Sequence, residues 1–134
     1  MEVLIIGEDF FSRRFLQLTL SKFANCKIAV SGRQAINYVK LTLGRDRPYQ
    51  LIIVDNNLFD MDVTQLVKNI RLLEESGGKP GSPKSKILVL SSPHRHSSVL
   101  DTFKEGCDGW ITKPIDEEKL LEKIHRFGLV ENCS

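Results

Sequence analysis

The run Leu51-Ile52-Ile53-Val54-Asp55 sets the architecture of this chain. Consecutive apolar residues that end on a carboxylate are typical of a strand buried on both faces of a parallel sheet. Three further segments have the same form: Val3-Leu4-Ile5-Ile6 leads to Glu8-Asp9, Ile87-Leu88-Val89-Leu90 leads to Ser91, and Gly109-Trp110-Ile111-Thr112 leads to Lys113-Pro114. In an open parallel sheet, ligands bind outside the carboxyl ends of the strands. We therefore expect the acids, the hydroxyl and the lysine to meet at one edge of the sheet.

Helix-forming segments separate these strands. The first predicted helix has Ser12 as its cap, and a short edge strand follows at residues 26–30. The apolar positions that mark the predicted helices are Phe11, Phe15 and Leu18; Ile36, Val39 and Leu43; Leu66, Val67, Ile70 and Leu73; Val99, Leu100 and Phe103; and Leu120, Leu121, Ile124 and Phe127. Strand and helix thus alternate five times, and Gly128 ends the last helix. Right-handed crossovers then predict a doubly wound α/β sandwich with helices on both faces of a parallel sheet.

The size and composition of the chain predict one domain. It has 134 residues, of which 41% are hydrophobic and 27% are charged, as is ordinary for a folded domain. Residues 76–86 are rich in Gly, Pro and Ser and indicate an exposed loop. We do not interpret this loop as a domain boundary, because the alternation of strand and helix continues after it. The expected domain is 1–134, with a core at 2–128 and a tail at 129–134.

Charge and hydropathy argue against several classes of protein. The net charge of +2, with both signs mixed along the chain, predicts no basic face for direct nucleic-acid binding. No apolar run reaches the roughly 20 residues of a membrane helix, and the N-terminus lacks the features of a secretion signal. The three cysteines, Cys26, Cys107 and Cys133, form no CxxC pair, which favours reduced thiols. We expect a cytoplasmic protein, and the Met1 start before the first strand favours a stand-alone one.

The acids at the predicted edge require a cation. If Glu8, Asp9 and Asp55 lie together, two carboxylates about 4 Å apart repel by roughly 4 kcal/mol at an effective dielectric near 20. Either one acid keeps a proton or a cation lies between them. Mg²⁺ suits this setting, because it prefers oxygen ligands and usually binds one or two carboxylates while it keeps waters. Lys113 adds a second positive charge at the same edge.

This combination predicts phosphoryl transfer to a carboxylate. Positive charge around the phosphoryl oxygens is most of what that chemistry needs from a protein, and Asp55 is the expected nucleophile. Asp9 and Asp55 are the expected direct metal ligands, with Glu8 acting through water and the backbone carbonyl of Asn57 completing the set. Ser91 is expected to donate its hydroxyl to a phosphoryl oxygen. Taken singly, each of these residues is more often structural, so the hypothesis depends on all of them meeting.

The complete pattern resembles a response-regulator receiver domain, the phosphoacceptor half of two-component signalling. The resemblance runs from Val3 to about Phe127 and depends on the Glu8-Asp9 pair, Asp55, Ser91 and the Lys113-Pro114 pair. It implies a flavodoxin-like fold with a five-stranded parallel sheet in the order 2-1-3-4-5. It also implies that Asp55 takes a phosphoryl group from a phosphohistidine with Mg²⁺ (or Mn²⁺) bound, and that the Lys113-Pro114 bond is cis.

The resemblance also implies a switch residue, and the sequence departs from the family pattern in the loop after Asp55. Trp110 stands where the family places an aromatic that turns inward on activation, although a half-buried surface aromatic is an equally good interpretation. After Asp55, the family usually carries a proline where this chain has Phe59 and a glycine where it has Val63. A β-branched residue resists positive φ, so an altered loop path is expected. None of the replaced residues carries the chemistry.

The implied partners are proteins. They are a histidine kinase or phosphotransfer protein as donor and a downstream target that the sequence does not identify. In this family the common docking face is built by the fourth helix, the fifth strand and the last helix, where Lys119 and Lys123 are weak candidates for contact. A homodimer through this face is compatible with the sequence. His94 and His96, with Arg95 between them, follow Ser91 and are more simply solvated than metal-binding.

Two other functions remain as alternatives to a signalling switch. An aspartate-nucleophile phosphatase of the haloacid dehalogenase type also uses an Asp at a strand end, a Lys and Mg²⁺. It expects a second Asp two residues after the nucleophile, where this chain has Asn57, so we do not expect an enzyme. A receiver-like interaction module that no longer responds to phosphate is compatible with the altered loop, but not with the retained acids, hydroxyl and lysine.

Overall fold

A single sheet of five parallel strands forms the centre of the molecule. The computed structural model describes residues 1–45, 47–77, 84–92 and 105–129. The strands are β1 (Glu2–Ile6), β2 (Asn25–Ala29), β3 (Leu51–Asp55), β4 (Lys86–Ser91) and β5 (Gly109–Thr112). Their order is β2-β1-β3-β4-β5, with every neighbouring pair parallel. The flavodoxin-like α/β fold is therefore confirmed, and the edge strand β2 begins one residue before its predicted start.

Helices cover both faces of this sheet. Those in the described part of the chain are α1 (Phe10–Leu20), α2 (Gly32–Gly44), α3 (Val63–Gly77) and α4 (Glu117–Arg126). The predicted helix around Val99, Leu100 and Phe103 lies outside the described residues, as do the segment 94–96 with its two histidines and the middle of the 76–86 loop. Among the described residues, no helix combines the length and apolarity that a membrane span requires.

Alternate residues of the central strands belong to two separate hydrophobic cores, one on each face of the sheet. On one face, Leu4 and Ile6 of β1 pack with Ile52 and Val54 of β3 in a cluster that includes residues of α2 and α3. On the other face, β1 and β3 contribute Val3, Ile5, Leu51 and Ile53 to a cluster that includes residues of α1 and α4. Every residue of β3 is buried. Burial on both faces explains why the strand sequences are continuously apolar instead of alternating.

Helix α1 begins earlier than predicted, and its cap is a different residue. Asp9 is the N-cap: its Oδ1 accepts from the Phe11 amide at 3.0 Å, and its Oδ2 accepts from the Ser12 hydroxyl at 2.7 Å. The prediction of Ser12 as the cap was wrong, because the carboxylate of Asp9 reaches the free amides first and uses Ser12 as a donor. The buried face of α1 then carries Leu16 and Leu20, whereas Phe11 is 80% exposed.

The last helix ends as the sequence predicts. Asp116 caps its N-terminus and accepts from the Glu118 amide at 2.9 Å. Gly128 follows the helix with a φ of 76°, in the left-handed region that glycine adopts without a steric penalty. Leu120 and Ile124 are fully buried against the sheet. Helix α4 therefore lies over the sheet beside β5 and positions the segment that carries Lys113.

Candidate functional site

The carboxyl edge of the sheet brings Asp55 and Lys113 into direct contact. Asp55 is the last residue of β3 and is 4% exposed. Lys113 follows β5, and its Nζ lies 2.6 Å from Oδ2 of Asp55. The two residues are 58 positions apart in sequence, and only the parallel order of β3, β4 and β5 brings them together. A buried carboxylate is thus held against a cation at the edge where ligands bind in such sheets.

Backbone groups hold the rest of the Asp55 side chain in place. Its Oδ1 accepts from the Asn57 amide at 3.0 Å, and the Asn56 amide donates to the Leu90 carbonyl at 2.9 Å. Gly7 lies so close that a Cβ there would be 3.2 Å from the Cβ of Asp55. Sequence reasoning missed Gly7, although a glycine between a buried strand and an acidic pair is a signal for close approach of the backbone.

Asp9 lies within the electrostatic reach of Lys113. The hydrogen bond from the Ser12 hydroxyl is the main cause that lowers the pKa of Asp9, aided by the Phe11 amide and the positive charge of Lys113, against a smaller effect of burial. Asp9 is therefore ionised at neutral pH. Its carboxylate has about four lone-pair sites, so it can cap the helix and still accept further hydrogen bonds or bind a cation.

Glu8 contacts the loop on the other side of the site. Its Oε1 accepts from the backbone amide of Phe59 at 2.6 Å. Both Glu8 and Phe59 are exposed, so this bond lies at the rim and not in the core. The structure therefore joins the acidic segment after β1 to the loop after β3 through Glu8.

Ser91 and Lys113 are linked through the backbone. Ser91 is fully buried at the end of β4, its hydroxyl donates to the Ser92 carbonyl at 3.1 Å, and its own carbonyl accepts from the Lys113 amide at 2.8 Å. The Lys113-Pro114 peptide bond is cis. The Ser91 hydroxyl thus lies one residue beyond Leu90, which pairs with Asp55 in the sheet.

Trp110 lies on β5, where it pairs with Val89 of β4. It is 37% exposed, and the Nζ of Lys123 is 6.0 Å from its ring centroid. A surface cavity of about 290 Å³ is lined by Trp110, Ile111, Thr112, Lys119, Glu122 and Lys123. The predicted docking residues Lys119 and Lys123 therefore flank the tryptophan in this structure.

The loop after β3 is joined to two helices by acidic side chains. Asp60 accepts from the amides of Gly32 and Arg33 at 2.9 and 3.0 Å, at the start of α2. Burial is the largest single influence and raises the pKa of Asp60. The amides of Arg33 and Gly32, the Asp60 amide and the charge of Arg33 together outweigh it and lower the pKa overall. Asp62 accepts from the Thr64 amide at 2.8 Å, and Val63 is buried as the first residue of α3. Sequence reasoning missed Asp60, because its partners lie 27 and 28 residues away.

The donor set fits a magnesium ion that keeps part of its water. Among the described residues, no three His, Cys, Asp or Glu side chains form a closed metal cluster. Mg²⁺ does not need one, since it typically uses one or two carboxylates together with waters. Asp55 has a buried carboxylate and Asp9 an ionised one, and the Asn57 carbonyl lies two residues after Asp55 in the chain. These hard oxygen donors match magnesium and not a soft metal.

Comparison with known proteins identifies relatives of one kind. A sequence model described as "Response regulator receiver domain" matches residues 3–125. The cell cycle transcriptional regulator CtrA of Caulobacter vibrioides is 28% identical over 126 residues, which cover 93% of this chain and 49% of that protein. This chain thus spans about half the length of the curated relatives that it matches.

Solved structures share the fold at low sequence identity. A two-component response regulator from Clostridium difficile has a TM-score of 0.79 at 23% identity, with 98% of each chain covered. The chemotaxis protein CheY4 of Vibrio cholerae has a TM-score of 0.75 at 24% identity, covering 94% of this chain and 97% of its own. A further match, with a TM-score of 0.81 at 22% identity, covers 100% of this chain and 94% of the other. It comes from the co-crystal structure of the Saccharomyces cerevisiae histidine phosphotransfer signaling protein Ypd1 and the receiver domain of its downstream response regulator Ssk1.

Proposed function

Because this chain belongs to the response regulator receiver domain family, we propose that it is a phosphoacceptor switch in which Asp55 accepts a phosphoryl group from a phosphohistidine. Receiver domains work in two-component signalling and are generally not enzymes in the ordinary sense. The contact between Lys113 and the buried carboxylate of Asp55 at 2.6 Å carries the proposal. This pair lies at the carboxyl edge of a parallel sheet, where such sheets receive ligands, and Asp55 keeps acceptor sites that no described group uses.

The proposed step is a transfer between two protein side chains. A carboxylate oxygen of Asp55 attacks the phosphorus, a new O–P bond forms, and the P–N bond to the donor's imidazole breaks. The electron pair of that bond stays on the imidazole nitrogen, which takes a proton from solvent. The product is an acyl phosphate on Asp55 and a neutral histidine on the donor.

The residues around Asp55 match the charge that this step develops. The Asn57 amide fixes one oxygen of the carboxylate at 3.0 Å, so the side chain is oriented before the donor arrives. The Lys113 ammonium pairs with the Asp55 carboxylate before transfer and with the phosphoryl oxygens during and after it. This is the electrostatic stabilisation that phosphoryl transfer requires.

Magnesium is the proposed cofactor, and members of this family typically bind it. Asp9, Asp55 and the Asn57 carbonyl would hold Mg²⁺ (or Mn²⁺), with Glu8 acting through water. When bound, the ion neutralises phosphoryl oxygens as a Lewis acid. Asp9 is suited to this role because its lowered pKa keeps it ionised and ready to bind a cation.

The proposed output is a change on the face that carries Trp110. After transfer, the Ser91 hydroxyl leaves the Ser92 carbonyl and donates to a phosphoryl oxygen. The Lys113 amide is bonded to the Ser91 carbonyl at 2.8 Å, so movement of one segment reaches the other. Trp110 lies on β5, three residues before Lys113, which follows that strand. The cavity beside Trp110 is where a change in partner binding is expected.

The proposed donor is a histidine kinase or a phosphotransfer protein. Proteins of these two kinds are the partners of receiver domains, and one structural neighbour comes from a complex with a histidine phosphotransfer protein. The downstream target is a protein that neither the sequence nor the fold identifies. The matched relatives are about twice as long as this chain, and the proposed output is altered binding of a downstream protein.

A small-molecule phosphodonor tests the proposal. Incubation with Mg²⁺ and acetyl phosphate is expected to add one phosphoryl group, seen by intact mass, and the addition should vanish in Asp55→Asn and without Mg²⁺. Beryllofluoride with Mg²⁺ should change the fluorescence of Trp110, and Lys113→Ala should weaken that change while it leaves Mg²⁺ binding largely intact. Absence of an adduct on the folded protein would favour the interaction module, and sustained phosphate release over many turnovers would favour the phosphatase.

A further inference from the structure

The loop after β3 makes a contact with Glu8 that depends on a backbone amide. Phe59 donates its N–H to Oε1 of Glu8 at 2.6 Å, between residues 51 positions apart. At 2.6 Å this bond is shorter than the usual distance of about 2.7–3.2 Å between the nitrogen and oxygen of an N–H···O hydrogen bond. Glu8 is exposed, so the bond restrains a side chain that would otherwise sample several rotamers.

The position of the Phe59 amide is set by the loop and not by its ring. On one side of it, the Asn57 amide is bonded to Asp55 at 3.0 Å. On the other, Asp60 accepts from two amides at the start of α2, at 2.9 and 3.0 Å. The phenyl ring between these two attachments is 76% exposed. Removal of the ring is therefore expected to leave the amide in place.

Proline at this position cannot form the same contact. Phe59 stands where receiver domains usually carry a proline, and proline has no N–H to donate. The bond to Glu8 is thus a consequence of this chain's own departure from the family pattern. It engages one oxygen of a carboxylate that has about four acceptor sites, so Glu8 can still accept a hydrogen bond from a metal-bound water.

We propose that the Phe59 amide is a positioning group that holds Glu8 in the orientation in which it supports the metal site. The inference rests on the proposed function, because it assumes that Mg²⁺ binds beside Asp9 and Asp55. Groups that orient metal-ligating side chains contribute about tenfold or more to metal affinity. Here the orienting group acts on a residue that reaches the metal through water, so an effect near the lower end is expected.

The direct test compares two substitutions at one position. Phe59→Pro removes the N–H, whereas Phe59→Ala removes only the ring, so the pair isolates the amide. Isothermal titration calorimetry with Mg²⁺ and no phosphodonor should show that the Pro variant binds about tenfold more weakly than the Ala variant. Equal affinity of the two variants would overturn the proposal.

A second comparison shows whether the amide acts through Glu8. In a Glu8→Ala background, Phe59→Pro should cause no further loss of Mg²⁺ affinity, because the group that the amide positions is already gone. A Pro effect of the same size in both backgrounds would mean a general distortion of the loop and would overturn the proposal. If Phe59→Pro does not fold, the ¹⁵N-labelled wild type replaces it. Its Phe59 amide resonance should then move in Glu8→Ala and on addition of Mg²⁺, and an unmoved resonance would overturn the proposal.

The same samples separate this inference from the proposed function. If the wild type binds Mg²⁺ and forms the Asp55 adduct but the Pro and Ala variants bind equally, only the positioning role is wrong. If the wild type binds no Mg²⁺ and forms no adduct, both are wrong.

Discussion

The two edges of the sheet hold their charged side chains in opposite ways. At the amino edge, the guanidinium of Arg71 makes five hydrogen bonds, which matches its five N–H donors. It contacts Glu74 at 2.6 Å, Asp108 at 2.9 Å, the Ser85 carbonyl at 2.8 Å and the Gly106 carbonyl at 3.0 and 2.8 Å. These contacts join α3 to the starts of β4 and β5, and every donor of Arg71 is satisfied.

At the carboxyl edge, the buried charge is held more loosely. Among the described residues, the carboxylate of Asp55 accepts from the Lys113 ammonium and the Asn57 amide, which use about half of its acceptor sites. The side chain of Lys113 is 21% exposed and can turn toward water. The amino edge therefore stabilises the fold, whereas the carboxyl edge can react, since a fully satisfied group has no capacity for a new ligand.

The largest effect is expected from removing the amino-edge cation. Arg71→Met leaves Glu74, whose side chain is 6% exposed, without its cation and with the Ser85 amide as its described donor. It also removes the donor to two carbonyls. Removing one partner of such a buried pair destabilises a protein by about 3 kcal/mol. Urea unfolding followed by circular dichroism should show this loss, whereas formation of the Asp55 adduct should persist in the folded fraction.

The matched control is the exposed ion pair on α4. The side chains of Arg126 and Glu122 are 66% and 59% exposed, and such a pair contributes about 0.5 kcal/mol or less. Arg126→Met should therefore leave the unfolding midpoint almost unchanged. Equal losses from the two substitutions would show that the Arg71 contacts add nothing beyond a surface pair.

The second prediction concerns the asymmetry of the carboxyl-edge pair. Lys113→Met leaves the buried Asp55 carboxylate with one described donor and should lower the free energy of unfolding by about 2 kcal/mol. Asp55→Asn should lower it by less than about 1 kcal/mol, because the ammonium of Lys113 can reach solvent. The double variant should be more stable than Lys113→Met alone. If Asp55→Asn is instead the more damaging change, the edge depends on the carboxylate for stability and is not loosely held.

The two edges also differ in how far they could be predicted from the sequence. The carboxyl edge was predictable, because each of its groups follows a buried strand and parallel topology brings strand ends together. The amino-edge network was not, because the partners of Arg71 lie 3, 14, 35 and 37 residues away. A single arginine on a helix carries no periodic signal of such contacts, so only the packed fold determines them.

Local details of the helices show the same limit. Sequence spacing predicted α1 but not its cap, because Asp9 and Ser12 are both good capping residues and the geometry of the chain leaving β1 decides between them. It also marked Phe11 and Leu18, which are 80% and 54% exposed. The close approach of the Gly7 backbone, which the sequence did not predict, depends on Asp55 from another strand. The local sequence pattern predicts the helices and strands, whereas it does not predict side-chain contacts between them.

The third prediction, smaller than the losses expected from Arg71→Met and Lys113→Met, concerns Asp60, which lies at the carboxyl edge but acts as a structural group. Its carboxylate caps α2 from another segment, and Asp60→Ala should lower the free energy of unfolding by about 1 kcal/mol at pH 7. Because the pKa of Asp60 in the folded protein is below its ordinary value of 3.8, the stabilisation is fully present above that value. It is lost as the pH falls through the lowered pKa.

Urea unfolding at pH 6 and pH 3 should therefore show a smaller loss of stability on acidification in Asp60→Ala than in the wild type. Asp60→Asn keeps one acceptor oxygen without the charge, so it should be intermediate at pH 6 and share the smaller loss. An unchanged pH dependence in both variants would mean that Asp60 adds no charge-dependent stability. The charged groups of the carboxyl edge would then include none that stabilises the fold, in contrast to those of the amino edge.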